Sequence, residues 1–253
     1  MRRKTDRARS TGGGKAEHDL NFPALREAGG FSSDSGRAAA SGAPPRGSKR
    51  PSTYFYYNNW DFNLAGAVFE RLTGRTVFEA FQKDLAVPLQ LEDFDPSRQR
   101  MLGFEDQSRY LAYHFFLSGR DMARLGLAMV RGGTWQGQQI IPEDWVRAST
   151  TPRVSASDIN GPLKDGSLDY GYLWWLPNQQ RGPEWSRSFL AFGNYGQFIL
   201  GLPTLDTVIV HRHAVSDEFA IARNLGRDLS SPKGVSVSQF LTIADAILAA
   251  RST

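Results

Sequence analysis

The hydrophobic period changes in the last third of the chain, and that change limits the folds open to it. Apolar residues alternate or run together over residues 170–175, 188–192, 197–202 and 207–211, with Pro, Asn, Gly and Asp between the runs. Four strands joined by such short connections pair antiparallel, because a parallel crossover needs a dozen residues or more. A helical stripe then follows: Val237, Phe240, Leu241, Ala244, Ile247 and Leu248. Ser236 and Gln239 form a capping box at its start. Helical patterns come first, then strands, then a covering helix. That order predicts an α+β fold, an antiparallel sheet flanked by helices, rather than a parallel α/β sheet.

The helical patterns lie between residues 60 and 150. Leu64, Val68 and Leu72 recur at helical spacing, and Gly74 follows as a stop. Thr76 and Glu79 predict a second helix start, running to about Ala86 before Pro88. Ser118 and Asp121 open a third, with Met122, Leu125, Met129 and Val130 on its buried face. Pro142 fits the first position of a short helix through Trp145. Tyr110, Tyr113, Phe115 and Phe116 are expected in the core, and residues 149–167 as a loop.

Charge separates the chain into two parts. Residues 1–53 hold eleven Lys/Arg against five Asp/Glu, and the rest holds nineteen against twenty-one. The net charge of +4 therefore belongs to the N-terminal segment. Residues 1–43 read as a disordered or irregular basic tail and residues 44–253 as one domain. A tail of this kind attracts polyanions without sequence preference, so no specific nucleic-acid partner is expected. No run of eighteen apolar residues or secretory leader is legible, which leaves the cytoplasm as the default expectation. Cysteine is absent, which excludes disulfides, thiolate metal sites and a cysteine nucleophile.

The candidate chemistry sits in Tyr57-Asn58-Asn59, an aromatic-flanked step before the first helical pattern. A tyrosine beside cationic groups can share its proton near neutral pH and act as a general base. An asparagine amide two residues on can donate to a carbonyl and accept from an amine. Alone, such a triplet is more often structural. His211 and His213 share one strand face and suit strand-end histidines better than a metal site. Trp174 and Trp175 read as core and pocket wall, and Asp61 as a helix N-cap.

The order of motifs along the chain adds to this. Tyr57-Asn58-Asn59 with Glu70-Arg71-Leu72-Thr73-Gly74, Ala86-Val87-Pro88-Leu89, Ser118 to Arg124, Gln139 to Trp145, Tyr170 to Trp175 and Gly193 to Gln197 resembles the serine hydrolases of the class C β-lactamase and penicillin-binding-protein type. That family includes esterases and the hydrolases of nylon oligomers. The resemblance covers about residues 44–253. It implies an acyl-enzyme hydrolase of a small-molecule ester, amide or lactam, with no cofactor. Tyr57 is then the general base and Asn59 the substrate-orienting amide. Gly193 and Asn194 are the oxyanion and substrate strand.

The pattern departs from the family at two points. The family's Lys/His-Thr-Gly falls on Ala191-Phe192-Gly193, where only the glycine matches. Its Ser-x-x-Lys nucleophile is not found before Tyr57: Gly12 precedes Lys15 by three positions, and Arg46 precedes Lys49. Ser230-Ser231-Pro232-Lys233 has the spelling but lies after the last strand, beside a proline. The nucleophile is therefore unassigned. The expectation is a domain without the family's N-terminal strands and nucleophile helix, as a truncated or misread frame would leave. Two functions stay open: an active serine hydrolase, and an inactive form of the fold that binds ligand.

Overall fold

The computed structural model describes residues 44–45, 47–50, 52–57, 59–102, 110–160, 168–177, 181–193, 196–214 and 234–251. The expected basic tail and Ser230 to Lys233 lie outside them.

A five-stranded antiparallel sheet forms the centre. Its strands are β7 (Leu168–Tyr170), β8 (Trp175–Pro177), β9 (Phe189–Gly193), β10 (Gln197–Leu202) and β11 (Thr207–His211), in the order β11-β10-β9-β8-β7. The expected strand over residues 170–175 is instead the hairpin joining β7 to β8. Tyr170 pairs with Trp175, and the chain turns between them with Leu173 in the left-handed region at φ 65°. An unbroken apolar run concealed a turn that has no proline or Asn-Gly to announce it.

Side chains alternate across the sheet and bury on both faces. Phe198, Leu200 and Leu202 meet Phe240, Leu241, Ala244 and Leu248 of the last helix, Val237–Arg251. The rings of Phe198 and Phe240 stack with centroids 4.3 Å apart. Ile199 and Val208 face the other way, onto the helix Gly119–Val130. Gly126 permits that approach, since a Cβ there would stand 2.7 Å from the Ile199 side chain. Of the stripe expected on the last helix, Ile247 is exposed, because the sheet covers only the face centred on Ala244.

Helix α1, Asn59–Thr73, forms as the spacing predicts but buries a different face. Val68 and Leu72 are 48% and 80% exposed, whereas Asn63 is 3% exposed. Asn63 Nδ2 donates to the Tyr110 carbonyl at 3.1 Å. Gly66 lies against the Tyr113 ring, with no room for a Cβ. A polar residue that satisfies a backbone carbonyl and a glycine that admits a ring thus outcompete the leucine stripe. The Thr76–Glu79 capping box holds helix α2, Val77–Phe81, which continues as a π-helical turn through Ala86. Strands β2 (Arg100–Leu102) and β3 (Ala112–His114) pair antiparallel beneath these helices.

Helix α3 is Gly119–Val130, N-capped by Ser118. Asp121 leaves the expected capping box to accept from the Glu92 and Asp93 amides. Strands β4 (Thr134–Trp135) and β5 (Gln138–Gln139) make a small hairpin before helix α4, Glu143–Ser149. Pro142 is the N-cap of α4, one position before the expected one. The final helix, Val237–Arg251, is α5.

Candidate active site

Tyr57 is placed by two short strands. β1, Phe55–Tyr56, pairs in parallel with β6, Ile159–Asn160. The Asn160 amide donates to the Phe55 carbonyl at 3.1 Å. This pairing fixes the chain just before Tyr57, and α1 begins two residues after it. Strand β6 lies within the segment expected to be a loop. Its one sequence signal is Ile159, a lone apolar residue between Asp158 and Asn160. Sequence reasoning did not identify Asn160 as a residue that positions the site.

Aromatic rings surround Tyr57. Phe62 lies 5.1 Å from it, Trp175 5.6 Å and Tyr170 6.3 Å, centroid to centroid. Trp175 stacks on Phe192 at 5.2 Å, and Phe192 leads to Phe198 at 6.4 Å. A row of rings therefore runs from Phe62 through Tyr57, Trp175, Phe192 and Phe198 to Phe240. Trp175 is 4% exposed, which bears out its reading as core.

This setting decides the protonation state of the phenol. Burial pushes the Tyr57 hydroxyl up to about 12 from an ordinary value near 10. Tyr170 is raised in the same direction, first by burial and then by the neighbouring Tyr57. Both are neutral phenols at pH 7. A neutral phenol of this kind can donate a hydrogen bond.

The aromatic row leads from Tyr57 through Trp175 to Phe192, near the end of β9. Phe192 immediately precedes Gly193, the exposed last residue of that strand, which pairs with Gln197. His211 Nδ1 contacts the Gly196 carbonyl at 2.6 Å, and Gln197 Nε2 donates to the His213 carbonyl at 2.7 Å. The His211 ring and the His213 main chain thus hold Gly196 and Gln197 at the start of β10. Asn194 lies outside the described residues. Asn59 is the first residue of α1, and Asp61 falls in its first turn rather than at its cap. Among the described residues, no cluster of three or more His, Asp or Glu could hold a metal, and no helix is long and apolar enough to cross a membrane.

A family model described as Beta-lactamase matches residues 8–211, which take in Tyr57, Asn59, β9 and most of the N-terminal segment. Among solved structures, the chain is similar to a protein from Bacillus anthracis described as a 6-aminohexanoate-dimer hydrolase. Identity is 23% and the TM-score 0.50, over 73% of this chain and 44% of that one. It is also similar to a penicillin-binding protein homolog from Caulobacter crescentus, at 20% identity and a TM-score of 0.46, over 85% of this chain and 68% of that one. A beta-lactamase from Mycobacterium bovis matches at 18% identity and a TM-score of 0.43, over 68% and 61%. The chain spans less than half the length of the Bacillus anthracis protein.

Proposed function

The chain belongs to the beta-lactamase family of penicillin-binding-protein-like serine hydrolases, and from that premise we propose that it acts on a small-molecule ester, amide or lactam through an acyl-enzyme. Tyr57 is the proton-transfer residue, Asn59 the amide that orients the substrate, and Gly193 with Asn194 the strand end that faces the acyl oxygen. The observation that carries this reading is the aromatic row, which ties Tyr57 to the end of β9 through Trp175 and Phe192. With its hydroxyl raised by burial, Tyr57 is suited to protonating a leaving group. To serve as a base it needs a cation set against it, which would bring its pKa back toward neutrality.

A second reading rests on the same raised phenol. On that reading the chain binds ligand beside Tyr57 without turning it over. A fluorophosphonate probe with intact-mass detection, run beside p-nitrophenyl ester turnover, separates the two. The hydrolase reading expects one labelled serine per chain and a loss of about a hundredfold or more in turnover on Tyr57→Phe. No labelled serine and no turnover would leave only the binding reading.

A further inference from the structure

The two edges of the central sheet are built differently. At one, β7 is three residues long, and a bridge from Val154 to Tyr170 covers its end. At the other, β11 runs for five residues and pairs only with β10 among the described residues. The outer side of such a strand offers backbone N–H and C=O groups to any strand laid beside it. Alternation divides its side chains between the two faces. Thr207, Ile209 and His211 face α5: Arg251 donates to the Thr207 hydroxyl at 3.2 Å, and the His211 ring lies 6.4 Å from Phe240. Val208 and Val210 face α3. Asp206 joins them there by pairing with Arg131, at the end of α3, at 2.8 Å.

The same contacts orient α5. It runs antiparallel to β11, with Phe240 of its first turn near His211 and Arg251 of its last turn at Thr207. Arg251, Ile247 and Ile243 form one row at four-residue spacing, so that row lies on the β11 side of the helix. Asp245, on the other flank, pairs with Arg181. Ile243 and Ile247 are 46% and 47% exposed, which leaves apolar surface beside an open strand edge. The ends of β11 carry opposite charges. Asp206 precedes the strand and Arg212 follows it, and both are exposed.

We propose that β11 pairs antiparallel with β11 of a second copy of this chain, about a two-fold axis at Ile209. In this register the edge is complementary to itself. Ile209 meets Ile209 of the partner subunit, Val208 meets Val210, and Thr207 meets His211. Asp206 of each copy falls opposite Arg212 of the partner subunit on the α3 face, so opposite charges meet at both ends of the seam. On the α5 face, the Ile243 and Ile247 rows of the two helices turn toward each other. Residues 1–43 suit the edge less well, because they contain no Val or Ile. Tyr57 packs on Tyr170 of β7, at the far edge, and takes no part.

Cysteine cross-linking of the full chain tests the register, since the sequence has no cysteine of its own. Ile209→Cys places two thiols directly opposite, with Cα atoms about 4.5–5.5 Å apart and within disulfide reach. Mild oxidation then gives a covalent dimer on a non-reducing gel. Thr207→Cys, four residues out of step with its own copy, separates the thiols by roughly 13 Å and gives none. Arg212→Glu sets a carboxylate against Asp206 at both ends and weakens the dimer about tenfold in sedimentation equilibrium, with an unchanged circular dichroism spectrum. Cross-linking of Thr207→Cys as efficient as that of Ile209→Cys, or association unchanged in Arg212→Glu, would overturn the proposal. So would a monomer at every concentration, the result expected if another segment of the same chain covers β11.

Discussion

Tyr57 exchanges water for rings, and this sets both its protonation state and a pH dependence. The unfolded phenol ionises near pH 10 and the folded one near 12, so between these values the native state holds the extra proton. The stability this residue contributes is complete below about pH 10 and is lost as pH rises through about 12. The two-unit difference corresponds to roughly 3 kcal/mol. Urea unfolding between pH 9 and 12 should show a falling alkaline limb that becomes shallower in Tyr57→Phe. An equal limb in both proteins would assign it elsewhere. The residue itself was legible in the sequence, because a Tyr-x-Asn step stands out within an ordered motif series. Its protonation state was not, since Tyr170 and Trp175 lie more than a hundred positions away and arrive only through the sheet.

At the scale of elements, the capped helices were readable because capping is local chemistry. Thr76 with Glu79 and Ser236 with Gln239 each close a reciprocal box within four residues. Which face a helix buries is settled by distant partners, and there the spacing of α1 misled. Two substitutions expose the difference. Gly66→Ala puts a methyl 2.1 Å from the Tyr113 ring and should cost about 1–3 kcal/mol, measured by chemical denaturation. Leu72→Lys, on the exposed face, should stay within about 0.5 kcal/mol of the parent. The β1–β6 pairing offers a third. Asn160→Ala removes the bond to the Phe55 carbonyl and should cost about 1 kcal/mol. If β6 positions Tyr57, the same variant lowers the affinity of any ligand bound beside that phenol.

Across the whole molecule, helices α3 and α5 close the two faces of one sheet, an arrangement the order of hydrophobic periods foretold. Two elements escaped that reading. Strand β6 and the β7–β8 hairpin have almost no periodic signal of their own and exist because the sheet and β1 give them partners. The sheet's outer strand, β11, pairs only with β10 among the described residues. Its Thr-Val-Ile-Val-His run has no lysine or proline to guard the edge. Sedimentation velocity should show association that grows with protein concentration. A single species at all concentrations would mean that the edge is covered.

The aromatic row has an optical consequence as well. Trp175 lies almost wholly out of water, with the Tyr57 ring 5.6 Å away on its flank. A tyrosinate absorbs where tryptophan emits, whereas a phenol does not. Any event that strips the Tyr57 proton, including the approach of a cation, would therefore dim Trp175 by energy transfer. The fold contains its own fluorescent reporter of the Tyr57 ionisation.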